Sequence, residues 1–261
     1  MRTSTNVFAQ TIALEKTSEG WSNHPTSDWY QGRGVFGGLI FAHFVHLAQE
    51  FGQFPIRRMN VDLCAPLLDK ETKWTIQEMR RGSNSQFLTA FCWQDDKVMA
   101  QATMVLGGQR FSAFDLQAQN PQNLKIPETA PLPANPLMPQ FTQHFQYWPT
   151  IGRLPFTKSS DLYCGGWIES RYKHPLTDTM IAALIDAWWP ALALRLDRPR
   201  PMGTISCSID FVQELPNQYG PCLLENQCQH IVEGYAVEHN YLWAPTGELL
   251  AIAQQNVVII S

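Results

Sequence analysis

The stretch that decides the fold reads Asp178-Thr-Met-Ile-Ala-Ala-Leu-Ile-Asp186-Ala-Trp-Trp-Pro-Ala-Leu-Ala-Leu-Arg195. It is apolar on every side except at Asp186, and it predicts a helix from about Asp178 to Arg195. A second stretch, from about Gly38 to Phe51, is apolar on nearly every side through Leu39, Ile40, Phe41, Ala42, Phe44, Val45, Leu47 and Ala48. A helix apolar all round must be enclosed by other structure.

β-type sequence follows each helix, with no second helix after it. Strands are expected at Arg57–Ala65, Lys73–Arg80, Gln86–Gln94 and Val98–Gly107. The later set is Gly203–Glu214, Cys222–Ile231, Ala236–Ala244 and Leu249–Ile260. Alternation of period two shows in Leu88, Ala90 and Cys92 against Thr89, Phe91 and Trp93. Gly82-Ser83-Asn84, Asp95-Asp96-Lys97 and Pro245-Thr246-Gly247 supply turn chemistry.

The halves echo each other in order. Val61-Asp62-Leu63 matches Ile209-Asp210-Phe211, Gly82 matches Gly234, and Val98-Met99-Ala100 matches Leu249-Leu250-Ala251. An ordered series of this kind indicates duplication. One buried helix wrapped by an antiparallel sheet, present twice, is an α+β double hotdog. Alternating α/β folds would need a helix after every strand. The expected division is residues 1–111 for the first hotdog, 112–160 for a linker and 161–261 for the second. The linker is rich in Pro, Gln and Asn. Its aromatic end, Phe141–Trp148, is expected to rejoin the second half as a strand.

Bulk properties narrow the function classes. In 261 residues, 44% are hydrophobic and 16% charged, which is a globular and not a disordered composition. A net charge of −4 and no basic run beyond two residues argue against nucleic acid and against an anionic membrane surface. Met1-Arg-Thr-Ser-Thr-Asn6 leads into no apolar signal core. Met180–Leu194 is shorter than the ~20 residues a membrane span needs. The six scattered cysteines contain no C-x-x-C pair and read as free thiols in a reducing cytoplasm. A soluble cytoplasmic protein without membrane insertion is expected.

Asp186 is the singular chemical feature, a carboxylate alone among apolar residues. Desolvation raises the pKa of such a group, and neighbouring hydroxyl or amide donors lower it again. Buried carboxylates usually have a chemical or a pairing reason. Gly37 and Gly38 open the first helix, where free N–H groups favour negative charge; the same glycines also serve close packing.

The chain resembles the bacterial acyl-CoA thioesterase II family and its thioesterase-like relatives. The resemblance rests on Gly34-Val-Phe-Gly-Gly38, on Arg81-Gly-Ser-Asn-Ser85, and on Asp186 with Pro190-Ala191-Leu192. It rests further on Thr204-Ile205 ahead of Phe211, and on Gly247 through Leu249-Leu-Ala251 to Gln255. It implies an acyl-CoA hydrolase with Asp186, Thr204 and Gln255 holding the attacking water. It implies an oxyanion and substrate site at Phe36, Gly37 and Gly38; Trp188, beside Asp186, is a further substrate-site candidate. Val45 and Met104 fall where the first half would repeat the acid and the Gln, and Thr177-Asp178 where the second would repeat the glycines. One complete site per chain follows. The family implies a homodimer, an acyl-CoA partner, and neither cofactor nor metal.

Several points stay open on the sequence. A one-residue register change would exchange Gln255 with Gln254. Arg57, Arg58, Arg80 and Arg81 are candidates for the CoA phosphates, with solvated surface charge as the default. Trp188 and Trp189 are adjacent, so one is expected to line an acyl tunnel. His43 and His46 lack a third ligand at metal spacing, and there is no G-x-S-x-G elbow. A non-catalytic acyl- or CoA-binding protein and an enoyl-thioester hydratase are the competing readings.

Overall fold

Along Ser85–Gln94, residues Gln86, Leu88, Ala90, Cys92 and Gln94 are buried while their neighbours are half-buried or exposed. A strand with one face on a core requires this alternation. The computed structural model describes residues 7–114, 116–118, 125–136 and 138–260. The reading made on Met1–Asn6, and parts of that made on the linker, lie outside the described residues.

The helices are α1 (Val7–Ile12), α2 (Gly37–Phe51) and α3 (Asp178–Leu184). The early strands are β1 (Glu15–Thr17), β2 (Gly20–Asn23), β3 (Tyr30–Gln31) and β4 (Gly34–Val35). β5 (Ile56–Leu63), β6 (Thr72–Arg81), β7 (Ser85–Gln94) and β8 (Lys97–Gly107) complete the first half. β9 (Phe145–Ile151) and β10 (Tyr163–Ser170) open the second half. β11 (Met202–Phe211), β12 (Cys222–Val232), β13 (Tyr235–Trp243) and β14 (Leu249–Ile259) follow. The eight strands read from sequence lie where expected, the largest departure being the end of β11 at Phe211 rather than Glu214.

Twelve strands form one sheet in the order β1-β2-β6-β7-β8-β5-β11-β14-β13-β12-β10-β9, and β3 pairs with β4 separately. The order is a palindrome. Outward from the central β5–β11 pair, β8 answers β14, β7 answers β13, β6 answers β12, β2 answers β10 and β1 answers β9. Irregularities repeat as well. The register shifts around Arg57 in β5 and around Ile205 in β11. It shifts around Met79 in β6 and around Gln229 in β12. Two copies of one unit, fused edge to edge with Asn60 opposite Ser208, account for all of this.

α2 and α3 pack against each other within one core. In α2 every residue from Gly37 to Ala48 is buried except His46. Each fully buried Leu, Ile or Phe stabilises the fold by roughly 1.5–3 kcal/mol, so a helix apolar all round gains most by enclosure.

Two expectations are corrected. The aromatic end of the linker is not all strand. Gln140–His144 is a 3-10 turn, and the strand begins at Phe145, within the stretch read as linker. The second helix ends at Leu184 with its cap at Ile185, and a separate 3-10 turn occupies Ala191–Arg195. Pro190 explains the break. Proline has no N–H to donate, and its ring clashes with the carbonyl four residues earlier, here that of Asp186.

Candidate active site

The helix break carries Asp186 out of regular structure. Ile185 N–H still donates to Ile181 O (3.0 Å) and Ala187 N–H to Leu184 O (3.0 Å). The Asp186 side chain then points toward the start of α2, and the residue is only 8% exposed. Its Oδ1 accepts Gln255 Nε2 at 2.7 Å and Thr204 Oγ1 at 3.4 Å. The Gly38 N–H faces the same carboxylate. Burial raises the carboxyl from its ordinary 3.8 to about 7, with Gln255, Gly38 and Thr204 pulling it down. An acid near 7 is present in both forms at neutral pH.

A bulge aims Thr204. Regular alternation from the buried Cys207 would place Ile205 inside and Thr204 outside. Because Thr204 pairs with Val257 and Ser206 with Asn256, Ile205 is the extra residue. Bulges redirect side chains in this way. Ile205 is accordingly exposed, and Thr204 reaches Asp186.

Gln255 is buried against Asp186, while Gln254 is exposed beside His239. The register is thereby fixed. Cys207, opposite Gln255, is a wall of the same site. Burial and the Asp186 charge push its thiol well above the ordinary value, so it stays neutral and is no nucleophile.

The two glycines have different neighbours. A Cβ on Gly37 would come 2.6 Å from Asp186 Oδ2. A Cβ on Gly38 would come 2.3 Å from the Phe36 ring and 2.6 Å from Ala183 O. Gly37 therefore admits the carboxylate, and Gly38 admits the close approach of α2 to α3. Leu39 and Ile40 N–H groups turn back to Phe36 O at 3.1 and 3.4 Å. The first N–H groups of a helix have no partner within it, and that of Gly37 donates to no group among the described residues.

The two aromatic residues expected in the site are packed on other aromatic rings. Phe36 is fully buried and stacks on Phe141 at 4.1 Å, fastening the end of the linker to α2. Trp188 packs on Trp189 and Tyr147, with ring centroids 4.4 and 5.6 Å away. Both tryptophans meet Tyr147. Adjacent residues face one way here because they lie in the break, not on a helix.

Arg58 is held by Asp210 (2.7 Å) and Ser208, Arg81 by Glu78 (2.6 Å), and Arg57 Nε by Gly107 O (2.9 Å). His43 donates from Nδ1 to Leu39 O (2.7 Å), accepts from Asn23 at Nε2 (2.6 Å) and stacks on Trp74. Burial lowers it to about 4, so it is a neutral core residue.

The first half shows the same framework without the chemistry. Aligned through Val61-Asp62-Leu63, Met59 corresponds to Cys207. Its partner Met104 therefore answers Gln255. Ile56 answers Thr204, and Val45 lies where Asp186 would fall. All three are buried and apolar.

The sequence reading missed Glu238, Asn226, Asn240 and Tyr147, which surround the helix break. The signal for the first three was present. They are polar residues at inward positions of otherwise apolar strands, as in Ala236, Glu238, Asn240, Leu242.

Comparison with known proteins adds the family. The acyl-CoA thioesterase N-terminal domain matches residues 25–107, and the acyl-CoA thioesterase C-terminal domain matches residues 120–259. No curated protein sequence matches the chain. Among solved structures, a conserved hot dog protein of unknown function from Alicyclobacillus acidocaldarius is 23% identical with a TM-score of 0.90, covering 98% of this chain and 99% of its own. A TesB protein from Mycobacterium avium subspecies paratuberculosis is 13% identical with a TM-score of 0.76, covering 99% and 100%. The acyl-CoA thioesterase II TesB2 from Mycobacterium marinum is 12% identical with a TM-score of 0.75, covering 97% of each chain. These likenesses carry the fold, and the domain matches, which together span both halves, carry the rest: the chain belongs to the acyl-CoA thioesterase family and is a thioester hydrolase.

Proposed function

We propose that the chain hydrolyses acyl-CoA thioesters to free acid and CoA, with Asp186 as general base for water. The observation that carries this reading is the juxtaposition of Asp186, from the second half, with the N-terminus of α2, from the first. Gly37 lets Asp186 Oδ2 stand directly over the helix start. Base and oxyanion donor are thus side by side.

The geometry supports the following steps. Gln255 Nε2 binds Asp186 Oδ1, which leaves the Gln255 carbonyl oxygen to accept a hydrogen from water. Thr204 limits where that water can sit. Asp186 takes a proton as the water oxygen bonds to the thioester carbonyl carbon. The carbonyl electrons move to oxygen, and the Gly37 N–H with the positive end of α2 stabilises them. On collapse the C–S bond breaks, the sulfur leaves with its electron pair, and the Asp186 proton neutralises it. A base with a pKa near the working pH is efficient in this role. The apolar trio Val45, Ile56 and Met104 leaves the corresponding place in the first half without a base.

Release of thiol from CoA thioesters of several chain lengths tests this. Wild type should turn over at least one of them, and Asp186→Asn should lose about 100-fold or more in kcat, within the range of general base catalysis. A folded Asp186→Asn variant with unchanged turnover would remove Asp186 from the mechanism.

A further inference from the structure

The break between α3 and the 3-10 turn strips five main-chain groups of their helical partners, and each has gained a strand side chain. Asn240 Nδ2 donates to Ile185 O at 3.0 Å. Tyr147 Oη donates to Ala187 O at 3.0 Å. Asn226 Nδ2 donates to Trp189 O at 3.3 Å. Glu238 accepts both Ala191 N–H on Oε2 (2.9 Å) and Leu192 N–H on Oε1 (2.8 Å). Asn226 also donates to Glu238 Oε2 at 2.9 Å, so these two side chains are joined, while Asn240 and Tyr147 act on the break separately.

We propose that Glu238, supported by Asn226, Asn240 and Tyr147, is a positioning residue that holds Asp186 at the start of α2. The proposal rests on the reading of Asp186 as the base. Ile185 and Ala187, the neighbours of Asp186 on either side, are each fixed by their carbonyl. Glu238 anchors the far end of the break at Ala191 and Leu192. Asp186 is left with only its side chain to orient, and Gln255 and Thr204 orient that.

The duplication supplies an internal control. Gln255 pairs with Glu238 as Met104 pairs with Leu88, and Asn240 pairs with Asn226 as Ala90 pairs with Ile76. The first half therefore has Leu88, Ala90 and Ile76 where the second has Glu238, Asn240 and Asn226. The helix of that half, α2, is unbroken over 15 residues and has no acid at the matching place. At these three matched positions the polar side chains occur in the half that breaks its helix to deliver a carboxylate. A buried carboxylate is expensive unless fully bonded, and Glu238, 0% exposed, accepts three N–H groups.

The test is Glu238→Gln. Its NH2 group would face a donor among Ala191 N–H, Leu192 N–H and Asn226, so the break should loosen. Misplacement of a reacting group by about 1 Å can lower a rate about 100-fold. We expect a fall in kcat of that order with KM little changed. Asp186 depends on Gln255, Gly38 and Thr204 to stay low, so its titration, read by carboxyl carbon NMR, should move up by about one pH unit. Glu238→Asp keeps the charge and should recover part of both. Tyr147→Phe removes one hydroxyl and should shift both in the same direction, and it serves if Glu238→Gln does not fold. Lowered melting temperature with an unmoved Asp186 titration in both variants would overturn the proposal. The NMR readout needs no substrate. Absence of thioester hydrolysis in wild type would thus count against the function and leave the positioning claim to stand or fall separately.

Discussion

Replacing Asp186 by Asn should make the protein more stable while disabling it. Burial raises the Asp186 carboxyl from 3.8 to about 7. The folded protein therefore holds a proton that the unfolded chain gives up near pH 4. The stability contributed by the protonated acid is complete below about pH 4 and is lost as pH rises through about 7. A change from 3.8 to about 7 corresponds to about 4 kcal/mol in all. Roughly 2.5 kcal/mol of it falls between pH 5 and pH 8. Asn is neutral throughout and nearly isosteric. It keeps an oxygen for Gln255 but sets an NH2 near the Gly38 N–H, which subtracts a constant amount. Urea unfolding of wild type and Asp186→Asn at the two pH values isolates the pH-dependent part. The variant should gain about 2.5 kcal/mol relative to wild type on going from pH 5 to pH 8. A stability difference independent of pH would refute the reasoning, because it would mean that Asp186 titrates like an exposed acid.

Other outcomes follow from the same geometry. The kcat/KM of wild type should fall tenfold per pH unit below about pH 7, reporting the free-enzyme base near 7; a profile flat down to pH 5 would contradict it. Gln255→Leu should lower kcat about 10- to 100-fold by freeing Asp186 Oδ1 and the water, whereas Gln254→Leu, at an exposed position, should match wild type in the same thiol-release assay. Gly37→Ala should impair kcat more than stability, since its Cβ meets the carboxylate. Gly38→Ala should destabilise by about 1–3 kcal/mol in urea unfolding, since its Cβ meets the Ala183 carbonyl and the Phe36 ring. Among the six cysteines Cys64 is the exposed one. A thiol reagent on native protein, followed by mass spectrometry, should label it first, and Cys207→Ser should stay active.

Much of this was legible because its causes are local. Strands with one buried face declare themselves by alternation, and β5 to β8 and β11 to β14 were read nearly to their ends. α2 declared itself by being apolar all round. The edge strand β1 and its neighbour β2 carry no clear pattern, being three and four residues long and not buried. β10 was hidden by its continuous burial from Cys164 to Ile168, which erases the period of two. Asp186 stood out by its chemistry, yet its true setting did not. The apolar run through Arg195 invited one helix, although Pro190 forbade it at the carbonyl of Asp186. The placing of Thr204 depended on a bulge at Ile205 that alternation cannot foresee. Repetition of the bulge at Arg57 shows that it belongs to the duplicated unit. Phe36 enters through the resemblance at the helix start and Trp188 through standing beside Asp186, and neither signal gives its packing. Packing takes Phe36 to Phe141 and Trp188 to Tyr147. Glu238 was overlooked because its partners are main-chain groups 46 and 47 residues away in sequence, a separation that no local pattern spans.

The central claim is that one site is assembled from the acid of one half and the helix start of the other. A crystal structure of the Asp186→Asn protein with an intact acyl-CoA bound tests it most directly. The account predicts the thioester carbonyl oxygen within hydrogen-bond distance of the Gly37 N–H, about 2.7–3.1 Å, with the side chain at position 186 and Gln255 flanking a water on the carbonyl carbon. A thioester bound instead against Val45, Ile56 and Met104, or with its carbonyl turned away from the start of α2, would contradict it.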